Sequence, residues 1–325
     1  MVDFNRSHRS AGNTSTHLGS GDARKRPLRE TSPAAGIFFG LLGVVSFSLS
    51  LPMTGLALHS FPSLFVGAGR AVGAAILAII VLATTRTAIP TVRQFARIAI
   101  VAAGVVVGFP FFTSYALQHV PSSHGAVIIG LLPAMTAVAA VLRGRERPSR
   151  LFWVAAGLGA VSVMGFSAIT HECGAGVSPA DLLLVAAVLC AAIGYAEGGL
   201  LSREIGSWQT ISWALVVALP FMVPLTIASL DGFTWNVTPE AWLGFGYLTV
   251  VSMFLGFFAW YRGLAIGPMT RVSQIQLVQP VLTILWAALF FGEIVDLLVW
   301  CAAAAVVMWA TLAVRARINA TPASR

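Results

Sequence analysis

Arg70 is the single charged residue in the apolar run Ser63 to Thr84. About eight residues into a helix that crosses a bilayer, its guanidinium would lie on the order of 12 Å below one surface, at 1.5 Å per residue. Insertion there costs roughly 2.5 to 3.5 kcal/mol, so the group must face protein interior or water. Its planar fork of donors suits a bound carboxylate or phosphate; a structural ion pair or bonds to backbone carbonyls would occupy it equally well. Glu197, in Tyr195-Ala196-Glu197, is the only carboxylate more than two residues from the end of an apolar run. Buried, it could carry a coupling proton; four residues from the end of its run, it could also pair with Arg203 or neighbouring arginines.

A third polar group precedes Pro280: Ser273, Gln274, Gln276 and Gln279. Gln276 and Gln279 share a helical face at i, i+3 spacing, and amides both donate and accept. They can line a cavity or join neighbouring helices. Tyr115, Tyr195, Trp213 and Trp286 sit deep enough in their runs to stack on a bound molecule, whereas Trp153, Trp208, Trp242, Trp260, Tyr261 and Trp300 lie near run ends and read as interfacial anchors. Pro133 and Pro280 fall near the middle of their runs, where each removes a backbone donor and bends the helix. The carbonyls they free, at Ile129 and Gln276, need neighbours or cavity water, and paired kinks at mid-depth suit gating.

The elements that hold these residues are apolar helices. Of 325 residues, 57% are hydrophobic and 10% charged, with a mean hydropathy of +0.85, more apolar sequence than a soluble core can bury. Ten runs long enough to cross a bilayer are predicted, at about 34–57, 62–84, 97–116, 124–142, 151–169, 180–200, 210–229, 241–261, 272–291 and 295–314. Basic residues follow every even-numbered run: Arg86, Arg93 and Arg97; Arg143, Arg145, Arg147 and Arg150; Arg203; Arg262 and Arg271; Arg315, Arg317 and Arg325. Odd-numbered exits carry no Lys or Arg. This alternation places both termini on the cytoplasmic side. It also accounts for the net charge of +8 as scattered loop anchors, not a basic face for nucleic acid. Residues 1–33 read as a disordered cytoplasmic tail and not a signal peptide, and 316–325 as a second tail.

Several functions are excluded on residue types. Cys190 and Cys301 fall inside runs and Cys173 sits alone in a loop, so neither a disulfide framework nor a metal cluster is expected. His119, His124 and His171 lie in different outer loops without metal-ligand spacing. No phosphate-cradling glycine loop is present. No catalytic residue, metal or cofactor is therefore assigned.

The chain repeats itself. Pro121, Pro133 and Glu146 recur as Pro268, Pro280 and Glu293, an offset of 147 residues throughout. Each half has five runs, an odd number, so the second copy enters the bilayer from the opposite face. The charges agree with inversion: Arg143-Gly-Arg-Glu-Arg147 corresponds to Phe291-Gly-Glu-Ile-Val295. The expected fold is all-α and integral to the membrane: ten transmembrane helices in two inverted five-helix repeats, 34–170 and 178–315, joined by the loop His171 to Val177. Glycine pairs at four-residue spacing, Gly36 and Gly40, Gly104 and Gly108, Gly194 and Gly198, are expected to let helices approach closely.

The Pro-containing run ending in Gly and Glu (Leu132-Pro133 to Glu146, Gln279-Pro280 to Glu293), the Phe61-Pro62 to Arg70 segment and the ten-run inverted repeat together resemble the EamA-type members of the drug/metabolite transporter superfamily. The resemblance covers about residues 33–315. The chain departs from the family pattern in the four arginines around Glu146 and in the acid at Glu197. The resemblance implies a basket of helices around a cavity open alternately to each side. The implied function is secondary transport of a small metabolite, such as an amino acid or related amphipathic compound, with export and proton coupling the family's habit. A sugar-phosphate or nucleotide carrier is the runner-up, and a membrane scaffold or sensor the third reading. The expected partners are the lipid bilayer and a small-molecule cargo, the expected assembly a monomer or homodimer, and the expected location the inner cell membrane.

Overall fold

The computed structural model describes residues 33–144, 149–170, 178–231, 233, 236–267, 272 and 274–320. These form helices joined by short connections: α1 (Ala34–Leu58), α2 (Ser63–Thr84), α3 (Val92–Ala116), α4 (Ser122–Ile129 continued by Leu132–Gly144), α5 (Arg150–Thr170), α6 (Pro179–Ile205), α7 (Ser207–Ala228), α8 (Pro239–Ile266), α9 (Gln276–Phe291) and α10 (Leu297–Ala320). Among the described residues nine are long and apolar enough to cross a bilayer, and α9 is the shorter tenth.

Local chemistry sets the ends. Thr91 and Gln94 form a reciprocal capping box at the start of α3, with the Thr91 N–H donating to Gln94 Oε1 at 2.9 Å. This cap carries the helix five residues beyond the apolar run read from sequence, and Arg97 is therefore helical and not a loop anchor. Ser178 caps α6 by accepting from the Asp181 N–H, and Pro179 follows in the first helical turn. Gly206, at φ 102°, ends α6 and lets α7 begin at the next residue.

Packing follows a two-fold pattern in which the two halves interlock. α1 lies along α8, and its counterpart α6 lies along α3; α2 pairs with α7, α5 with α10, and α4 with α9. The predicted glycine pairs occupy the two crossed seams. A methyl on Gly36 would lie 2.4 Å from Gly267 Cα, and one on Gly104 would lie 2.5 Å from the Cys190 carbonyl. Only hydrogen fits between those backbones.

Irregularities recur in pairs as well. Ala102–Gly108 of α3 and Tyr247–Leu255 of α8 are π-helical, at equivalent places in the two halves. α4 breaks at Gly130 and Leu131 just before Pro133, and α9 tightens into a 3-10 turn at Gln276–Val278 just before Pro280. In that turn the Gln279 N–H donates to the Gln276 carbonyl, which absorbs an acceptor the proline would otherwise orphan. The two breaks touch, a methyl on Gly130 meeting Pro280 Cγ at 3.2 Å.

Candidate functional site

A small cavity lies between the halves. The first half contributes Phe47 and Ser50 from α1, Arg70 from α2, and Val105 and Phe109 from α3. The second contributes Ala191 and Tyr195 from α6, Ser252, Met253 and Phe257 from α8, and Gln279 from α9. The π-helical segments supply Val105, Ser252 and Met253, so the irregular backbone lies against the cavity.

Arg70 is 1% exposed, and its Nε and Nη2 are buried without a hydrogen-bond partner among the described residues. A buried guanidinium left in this way is costly. Gln279 also reaches the cavity, with its Oε1 unpartnered. Ser50 Oγ and Ser252 Oγ lie 2.7 Å apart and join α1 to α8 at the cavity wall. Aromatic rings make up much of the rest: Phe47 packs on Phe257 at 4.9 Å and on Tyr195 at 6.2 Å between ring centres, with Trp260 behind them at 6.4 Å from Phe47.

The chemistry of this lining is one-sided although the cage is two-fold. At the 147-residue offset, Arg70 corresponds to Val217, Gln279 to Leu132 and Ser252 to Val105. Each of these three polar side chains therefore has an apolar counterpart in the other copy.

Of the residues singled out from sequence, the cavity brings together Arg70, Tyr195 and Gln279. Gln276 is buried one turn away, with both amide atoms unpartnered, and is not part of the lining. Tyr115 packs on Phe111 at 4.7 Å, and Trp213 meets Phe95 edge-on at 5.9 Å; neither lines the cavity. Pro133 and Pro280 mark the touching helix breaks. Glu197 is 3% exposed and pairs with Arg97 of α3, which also holds Glu204. Arg203 instead donates to the Leu264 carbonyl of α8 at 3.3 Å. Arg271 and Ser273, and Glu146 with the arginines beside it, lie outside the residues whose side chains are described.

Sequence reasoning passed over Phe47, Ser50, Phe109, Ser252 and Phe257. Phe47 and Ser50 share a face at i, i+3, a signal available once α1 is known to border the cavity. It also passed over a buried cluster at the starts of α4 and α6 and the end of α5. There His124 Nε2 lies 2.7 Å from Asp181 Oδ1, and Ser167 Oγ donates to Asp181 Oδ2. Nearby, Glu293 accepts the backbone N–H groups of Ser122 and Ser123 at 3.0 and 2.9 Å. A carboxylate across a helix N-terminus satisfies orphan donors and opposes the helix dipole.

Two interlocked halves of apolar helices with a cavity where they meet, lined mostly by apolar side chains around one buried cation, define a polytopic membrane carrier. The model of the EamA-like transporter family matches the chain twice, over residues 34–168 and 178–315. The chain belongs to that family, within the drug/metabolite transporter superfamily, and so to transporters and not enzymes. It is 44% identical over 263 residues to the uncharacterized transporter YdeK of Bacillus subtilis (strain 168), an alignment covering 78% of this chain and 88% of the relative. A solved crystal structure with 16% sequence identity matches with a TM-score of 0.59, covering 89% of this chain and 99% of its own. At that identity it speaks for the fold alone.

Proposed function

We propose that the chain is a secondary transporter that exports a small metabolite by alternating access, with the cavity between its halves as the binding site. The observation that carries this reading is Arg70: a guanidinium buried mid-helix, unpaired, and lining a cavity built from both halves. An intramembrane ionisable residue facing a cavity marks a transport pathway by default. Arg70 and Gln279 bind the polar end of the cargo, with Gln276 behind Gln279. Tyr115 and Trp213 shape the bundle around the site, and the breaks at Pro133 and Pro280 serve as gating hinges. Glu197 acts in proton coupling if it parts from Arg97 during the cycle. The helical boundaries and loop charges support two repeats, 34–170 and 178–315, in the inner cell membrane with both termini cytoplasmic. A sugar-phosphate carrier would want several cavity cations, and Arg70 is the only one among the described lining residues.

The test compares culture supernatants of cells overproducing the wild-type chain and cells carrying the empty vector, by untargeted mass spectrometry. Export predicts a small set of metabolites enriched outside the wild-type cells and absent outside cells producing R70A at equal membrane abundance. Identical supernatants from wild-type and vector cells would overturn it.

A further inference from the structure

The charge inventory of the cavity narrows what can occupy it. Its described lining holds one cation, Arg70, and no carboxylate. The acids nearest by topology are already committed: Glu197 to Arg97, Asp181 to His124 and Ser167, and Glu293 to the α4 N-terminus. None of these is paired with Arg70, whose Nε and Nη2 have no partner among the described residues while 1% of the residue is exposed.

From this we infer that the cargo is a compact monocarboxylate with an aromatic or branched apolar body and no ammonium group. The inference rests on the cavity being the transport site and adds the chemical class of what it takes. The carboxylate completes the planar fork of Arg70 with two parallel, charge-assisted hydrogen bonds. One negative charge cancels one positive charge, so the loaded cavity is neutral. A zwitterion would bring an ammonium for which no lining acid exists and leave the net charge of the site unchanged. An amine would double it. Water is a poor substitute in so small and apolar a space, because a buried ion without a counter-charge keeps most of its desolvation cost.

The remainder of the lining selects the body. Phe47, Phe109, Tyr195, Phe257 and Met253 supply aromatic rings and a thioether, and beside Arg70 only Gln279, the Tyr195 hydroxyl and the mutually bonded serines add polarity. A sugar phosphate or a nucleotide matches neither that aromatic lining nor its single positive charge.

The experiment is a thermal-unfolding series on the purified full-length protein in detergent at pH 7. It uses four compounds that share one body, 3-phenylpropanoate, 3-phenylpropanamide, 3-phenylpropylamine and phenylalanine, together with phenylacetate and 4-methylpentanoate as further carboxylates. A ligand of the folded state raises Tm by mass action. The expected result is a concentration-dependent rise of several degrees with at least one of the three carboxylates, and less than a tenth of that shift with the amide, amine and amino acid. R70K keeps part of the shift and R70Q loses it. If R70Q does not fold, the wild-type head-group series decides alone, with Q279L as a folded variant expected to weaken binding several-fold. A shift with phenylalanine, the amide or the amine as large as with the carboxylates would overturn the inference, as would no shift with any carboxylate. Efflux of a neutral or cationic compound from proteoliposomes would sink the carboxylate class and leave the transporter reading standing.

Discussion

The Ser122 amide donates to Glu293 Oε1 at 3.0 Å across 171 residues of sequence, with Ser123 donating to the other carboxylate oxygen. The start of α4 in one half is thus fastened to the loop after α9 in the other. Replacing Glu293 by Ala should cost about 1–2 kcal/mol, since two charge-assisted bonds to a helix N-terminus are lost. E293Q should recover part of this through one remaining acceptor. Thermal unfolding of the three proteins in the same detergent measures the order, and equal Tm values for wild type and E293A would refute the fastening.

R70A should abolish export while leaving membrane expression intact, because the buried cation is needed for the cargo and not for insertion. Transport by R70A at the wild-type rate in proteoliposomes would remove Arg70 from the site. R70K should fall between them, keeping the charge without the planar fork.

Arg97 ties two acids of α6, Glu197 and Glu204, to α3. Single R97Q and E197Q substitutions should each destabilise the protein, and the double variant should lose less than their sum, with a coupling of about 0.5–3 kcal/mol. Under the coupling proposal, transport by E197Q proceeds at a rate independent of pH. If transport by E197Q keeps the wild-type pH profile, Glu197 has no part in proton coupling and its role is confined to the ion pair.

The contact between Gly36 and Gly267 leaves no room for a side chain, since an added Cβ would sit 2.4 Å from backbone. G36A should separate α1 from α8 and destabilise by about 1–3 kcal/mol, the usual cost of overpacking. G157A, where a methyl meets nothing within 4 Å, is the matched control and should be silent. Unfolding temperatures that fail to distinguish the two would contradict the close seam.

Asp181 is 1% exposed and receives His124 and Ser167. H124A should cost about 1–3 kcal/mol, because it removes one of the hydrogen-bond partners of a buried carboxyl group. The double variant H124A/D181N should regain a measurable part of that loss, and additive losses would show that the two side chains act independently.

Much of the architecture was legible in sequence because a bilayer imposes it. Apolar runs, the 147-residue repeat and the glycine spacings each reflect a constraint that acts on composition and distance along the chain. The depth of a residue was legible for the same reason, and Arg70 and Gln279 reach the cavity. Azimuth was not legible. A helix apolar on every side has no contrasting face to read, so Tyr115 and Trp213 had suitable depth but turn to Phe111 and Phe95, while Phe47 and Phe257 went unnoticed. The π-helical segments of α3 and α8 shift the facing of residues beyond them, which a 3.6-residue period does not anticipate. Arg97 resembled an interfacial loop residue because the capping box of Thr91 and Gln94 upstream extends the helix past the apolar run.

The mismatch between a symmetric cage and a lopsided lining has a consequence for the path of the passenger. Arg70, Ser252 and Gln279 have Val217, Val105 and Leu132 as their mirror positions, so exchanging the roles of the two halves brings up no second anchor for the charged head. Under the proposed site at Arg70, the cargo would stay moored to α2 throughout the cycle, and the two hands of a chiral cargo would meet different walls from entry to exit.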